Sequence, residues 1–171
     1  MKLPQFLILA AGLALSTEMA AADVFIHRLI GVFVGEGTIR PQGFDDAVKV
    51  KCRLVGKSRD DLQVNLEGKC VTASGAGKVR FLIAQDQSGS KFAAKAGFAS
   101  QKEMVALNGR RSGENIVFMT NAPFEASGRM VSSEIAFALV GETEFDLLNT
   151  MTDQTTGEVS QVLSLKVKRK R

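Results

Sequence analysis

Tryptophan and tyrosine are absent from the chain, and histidine occurs once, at position 27. Without Trp or Tyr the usual platforms for stacking bases are missing, which argues against nucleic acid as a partner. A histidine-based nucleophilic site would have to use His27, close to the N-terminus, and a zinc site needs three or four ligands that one His and two Cys do not supply. No cofactor motif is present, so neither a cofactor nor a metal is expected. Proline occurs three times, too rarely for a Pro-rich linker. No apolar run reaches the roughly 20 residues of a bilayer-spanning helix.

The longest apolar run, Phe6–Leu15, follows Lys2 and precedes the polar Ser16-Thr17-Glu18 and the small residues Ala20-Ala21-Ala22. This is the order of a secretory signal peptide over 1–22, cut after Ala22, and it implies a periplasmic or secreted protein. No cysteine follows the cut, which disfavours a lipid anchor. The remaining segment, 23–171, suffices for one domain. Its net charge stays at +4, and five cations lie at the C-terminal end (Lys166, Lys168, Arg169, Lys170, Arg171), leaving the body at −1. On this count the basicity belongs to a tail, and no extended basic face is implied.

What the chain has in abundance is alternation. Val48, Val50, Cys52 and Leu54 interleave with Lys49, Lys51 and Arg53, the period of a strand with one wet face. Leu62, Val64 and Leu66 repeat the pattern; Ile135, Phe137 and Leu139 alternate too, with Ala136, Ala138 and Val140 making both faces apolar there. Val159, Leu163, Leu165 and Val167 are expected on one face, opposite Ser160, Ser164, Lys166 and Lys168. Turn residues recur at Gly56–Asp61, Ser74–Gly77, Asp86–Ser90, Asn108-Gly109 or Ser112–Asn115, Gly141-Glu142 and Asp153–Gly157. About eight to ten strands joined by short hairpins predict an all-β fold. A single antiparallel up-and-down barrel is preferred over a sandwich, because closure removes exposed edges. Asp23–Ile30 breaks the pattern and reads as a short helix or turn plugging one end.

Two cysteines in an exported chain suggest a disulfide, with two buried thiols as the alternative. A tight turn over Gly56–Asp61 pairs Leu54 with Leu62 and Cys52 with Val64. Cys70 is then six residues, about 20 Å, away. The Cys52–Cys70 bond therefore requires a wider loop or a bulge.

The remaining groups carry little chemistry. Asp45-Asp46 and Asp60-Asp61 are neighbours beside turns and point to opposite faces. Gly75-Ala76-Gly77-Lys78 lacks the first glycine and the Ser or Thr of a phosphate loop. Arg110 and Arg111 beside a hairpin end are candidate anion contacts. Val50, Val64, Phe92, Phe98 and Phe137 are candidates to line the barrel interior, which in so small a barrel is filled by side chains or holds one small ligand. The alanine-rich strand Phe92–Phe98 offers little bulk, which leaves room for a cavity.

From Gly31 onward the pattern resembles the lipocalin-like class, with Gly31-x-Phe33 where that class often carries Gly-x-Trp. It is more similar to uncharacterised exported small β-barrel proteins of alphaproteobacteria. In these a strand Cys is followed about eighteen residues later by Gly-x-Cys and then by Gly-Arg-Arg-x-Gly, here Cys52, Gly68-Lys69-Cys70 and Gly109-Arg110-Arg111-Ser112-Gly113. The resemblance implies a fold and a compartment without an activity. A looser similarity is to bacterial metalloprotease inhibitors built on a small barrel with one disulfide. The expectation is a non-enzymatic exported barrel binding a small apolar or amphiphilic ligand, or else a periplasmic protein-interaction or inhibitor-like module.

Overall fold

The computed structural model describes residues 25–40, 46–98 and 103–170, so the expected signal peptide lies outside the described residues. One helical turn, α1 (Phe25–Arg28), leads into β1 (Gly31–Ile39), β2 (Val48–Asp60), β3 (Gln63–Thr72), β4 (Gly75–Gln85), β5 (Lys91–Phe98) and β6 (Val105–Ser112). There follow β7 (Asn115–Thr120), β8 (Phe124–Ala126), β9 (Arg129–Leu139), β10 (Glu144–Asp153) and β11 (Val159–Arg169).

Each strand pairs antiparallel with the next through β7, then β9, β10 and β11, and β11 pairs back onto β1. The result is the all-β, closed up-and-down barrel, at the upper end of the expected strand number. Its wall has ten strands. β8 is a short ribbon that continues beyond β7 and pairs with β9. Closure follows from the two-residue period: in β2, Val50, Cys52, Leu54 and Gly56 are buried while Lys49, Lys51 and Arg53 are exposed.

Two registers differ from those read in the sequence. The β2–β3 turn falls at Asp61-Leu62, later than expected, and a bulge between Ser58 and Asp60 absorbs one residue. The Asp60 carboxylate accepts the Leu62 backbone N–H at 2.8 Å, which fixes the turn there and takes Leu62 out of the strand. Cys52 then sits directly opposite Cys70, and the two form a disulfide with Cα atoms 4.0 Å apart. In β11 the register slips between its pairings with Asn149 and Thr150, skipping Val162. A one-residue slip exchanges the faces. Val159 is therefore exposed, not on the face of Leu163, Leu165 and Val167.

The N-terminal plug is present. Phe25, Ile26 and Leu29 are fully buried inside the end that gathers the β2–β3, β4–β5, β6–β7 and β9–β10 turns. Arg169 ties it down, donating to the Arg28 carbonyl at 3.1 Å and lying over the Phe33 ring, 5.5 Å from its centre. Gly56 makes room for the chain to enter: a Cβ there would stand 1.6 Å from the Leu29 carbonyl oxygen. Gly56→Ala is expected to cost about 1–3 kcal/mol through displacement of the plug, read as a lower midpoint in chemical denaturation.

Candidate functional site

The plugged half of the barrel is filled. Seven phenylalanines, from Phe25, Phe33, Phe81, Phe92, Phe118, Phe137 and Phe145, form a connected set of ring contacts with centroids 5.5 to 6.1 Å apart. Most meet edge to face, the arrangement favoured by the ring quadrupole. Phe137 is the hub, touching Phe25, Phe81, Phe118 and Phe145. The space left between Phe81, Ala94, Leu107, Phe118, Ile135 and Phe137 is wholly apolar and too tight for a water molecule. Gly109 belongs to this packing: a Cβ there would meet the Phe118 ring at 2.6 Å.

Val50, Val64, Phe92 and Phe137 all face inward and are buried in this cluster. The backbone of Phe98, in β5, pairs with Val79 of β4, and the Phe98 side chain is outside what the structure describes. Arg110 and Arg111 are not brought together. Arg110 is exposed on the outer wall, whereas the adjacent Arg111 faces the other way and is partly buried.

The other end is built differently. It gathers the β3–β4 and β10–β11 turns and the connections β1–β2, β5–β6 and β7–β9, of which 41–45 and 99–102 lie outside the described residues. Inward-facing side chains here, including Ile39, Cys70, Thr72, Val79 and Leu163, are partly exposed, although they continue ladders that are fully buried nearer the plug. On β9, by contrast, Val131 is buried at this end.

A polar pair lies between mouth and core. Ser133 and Asn149 are 6% and 3% exposed, and the Ser133 hydroxyl donates to Asn149 Oδ1 at 2.5 Å. Where β7 gives way to β8, the Thr120 hydroxyl accepts the Ser133 backbone N–H at 3.2 Å, replacing a ladder bond. Beside the mouth, the Asp153 carboxylate accepts the backbone N–H groups of Thr155 at 2.7 Å and Thr156 at 3.0 Å. The Thr156 and Thr155 amides, with help from Arg129, hold that carboxyl below the usual aspartate range. Among the described residues, no three His, Cys, Asp or Glu side chains converge to hold a metal ion.

No protein-family model matches the chain, and no curated protein does. Among solved structures it is similar to EF1p2_mFAP2b, solved bound to DFHBI. That likeness has 9% identity and a TM-score of 0.48 over 84% of this chain and 95% of that one.

Thr120, Ser133 and Asn149 are the residues that sequence reasoning missed. Their signal was the alternation itself. Extending the inward series Leu139, Phe137, Ile135 by two residues reaches Ser133, and extending Phe145, Leu147 reaches Asn149. The alanines on the other face of β9 (Ala136, Ala138) hid which series was inward.

Proposed function

We propose that this protein is an exported, non-enzymatic barrel that receives a small amphiphilic molecule at its open end. The apolar part meets Ile39, Val79, Leu163 and the Cys52–Cys70 bridge, and the polar part meets the Ser133–Asn149 pair. One observation carries the reading: along β1–β4 and β11, inward side chains pass from buried beside the plug to partly exposed at the mouth, with a buried polar pair on β9 and β10 at the boundary. The phenylalanine cluster serves as the floor, so the site is a shallow cup. Export is supported by the disulfide, which persists in oxidising compartments, and by the signal-like order of residues 1–22. A partner surface at residues 25–30 is disfavoured, because Phe25, Ile26 and Leu29 are spent on the core.

A sulfonated naphthalene dye is a suitable amphiphilic probe. The expected result is saturable, one-site fluorescence enhancement by the folded chain. Val79→Trp with Leu163→Trp, on opposite sides of the mouth, should weaken it about tenfold or more by filling the cup. Circular dichroism of the variant checks that the barrel persists. Dye binding that is unsaturable, or equal in the blocked variant, would sink the reading.

A further inference from the structure

The outer wall carries a feature that the cup does not use. On adjacent strands Arg53 lies directly opposite Lys69, and Lys69 directly opposite Lys78. The same transverse row continues through Val34 on β1 to Lys168 on β11. Five successive ladder positions thus hold four cations and no carboxylate, over about 19 Å at the usual strand spacing. Like charges directly opposite one another destabilise a sheet. Lys49 and Lys166 lie outside this row on the same wall. The two carboxylates nearby are engaged: Glu36 pairs with Lys51 at 3.0 Å and Glu67 with Arg80 at 2.8 Å. At the far end of the row Lys168 meets Glu144 at 3.2 Å. The structure thus corrects the assignment of basicity to a tail, since Lys166 and Lys168 belong to β11 and extend this face.

Two side chains within the face are apolar and open to solvent, Val34 at 44% and Val71 at 48%. β7 and β9 are different, with the exposed Met119 and Glu134, and on β10 Asp146 lies directly opposite Lys166 and so bounds the basic face.

We infer that the outer face of β1–β4 docks the barrel side-on against an anionic phospholipid bilayer. Arg53, Lys69 and Lys78 meet the headgroup phosphates, and Val34 and Val71 reach the boundary of the acyl region. Charge complementarity and the mixture of cations with exposed valines select this occupant. A nucleic-acid duplex fits less well, since the face is a smooth strand surface with no helix or loop to enter a groove and no stacking ring. Side-on docking leaves the mouth free, so this inference stands apart from the ligand reading. Anionic headgroups would also relieve the Arg53–Lys69–Lys78 repulsion, so binding stabilises the fold.

The test is co-sedimentation of the full chain with vesicles containing about 30 mol% phosphatidylglycerol, against pure phosphatidylcholine as the baseline for any contribution of residues 1–22. The expected result is a preference for the anionic vesicles that collapses as salt is raised to about 0.5 M. Arg53→Gln/Lys69→Gln/Lys78→Gln should lower that preference about a hundredfold. The same variant should melt no lower than the wild type, because it removes the opposed charges. That separates lost docking from lost folding. Arg110→Gln on the far wall should change nothing. No preference for anionic vesicles, or a preference that survives the triple variant, overturns the inference. So does charge-dependent binding to duplex DNA or heparin with none to vesicles.

Discussion

Phe137→Ala is expected to lower the unfolding free energy by about 3–5 kcal/mol, the largest effect of any single substitution considered for this chain. The ring is fully buried and touches four others, drawn from α1, β4, β7 and β10. Two costs add. One is the lost transfer of a phenyl group from water. The other is the cavity left behind, which depends on how far the surroundings can collapse. Collapse is limited here, because β9 is hydrogen-bonded on both sides, to β7 and to β10, within a closed wall. The neighbouring space among Phe81, Phe118 and Ile135 is apolar and too small for water, and a void with such a lining stays dry. Equilibrium denaturation in guanidinium chloride reads the effect as a shifted midpoint with an unchanged slope. Phe137→Leu should lose less than half as much. A loss under about 1 kcal/mol for the alanine variant would mean the rings do not form one packed body.

The barrel was legible because its signal is local. Alternation over Val48–Leu54 states which residues face in, and the short hairpins leave a meander as the simplest topology. The departure of Asp23–Ile30 from that period likewise marked the plug, whose Phe25, Ile26 and Leu29 are buried together. What depends on single bulges was not legible. One extra residue between Ser58 and Asp60, with the Asp60 carboxylate seated on the Leu62 amide, decides whether Cys52 faces Val64 or Cys70. The slip past Val162 decides the exposure of Val159.

Groups assembled across strands were hidden for another reason. Arg53, Lys69 and Lys78 become neighbours only through two registers. A charge sum over the body conceals them, since it includes acids of the turns (Asp60, Asp86) and of β9 (Glu134). Ser133 and Asn149, sixteen residues apart, meet in the same way through the β9 and β10 ladders.

Removing the disulfide by Cys52→Ala/Cys70→Ala is expected to cost about 3 kcal/mol, from the loop-closure entropy returned to the unfolded chain. The bond spans 18 residues, close to the loop of about 15 for which chain entropy gives about 3 kcal/mol. Alanine is the replacement of choice, because Cys52 is buried among apolar neighbours and a serine hydroxyl would add a desolvation cost of its own. The fold itself should survive. The turn at Asp61-Leu62 and the bulge before it set Cys52 against Cys70, and β3 is held on its other side by β4. The far-ultraviolet dichroism of the variant should therefore match that of the oxidised protein, with only the denaturation midpoint lowered. Reductant should lower the wild-type midpoint by the same amount and leave the variant unmoved. The probe at the mouth reports a second consequence: Cys70 is partly exposed there, so opening the bridge enlarges the cup and should change dye affinity without abolishing it. A wild-type midpoint indifferent to reductant, or two titratable thiols in the folded chain, would contradict both expectations at once.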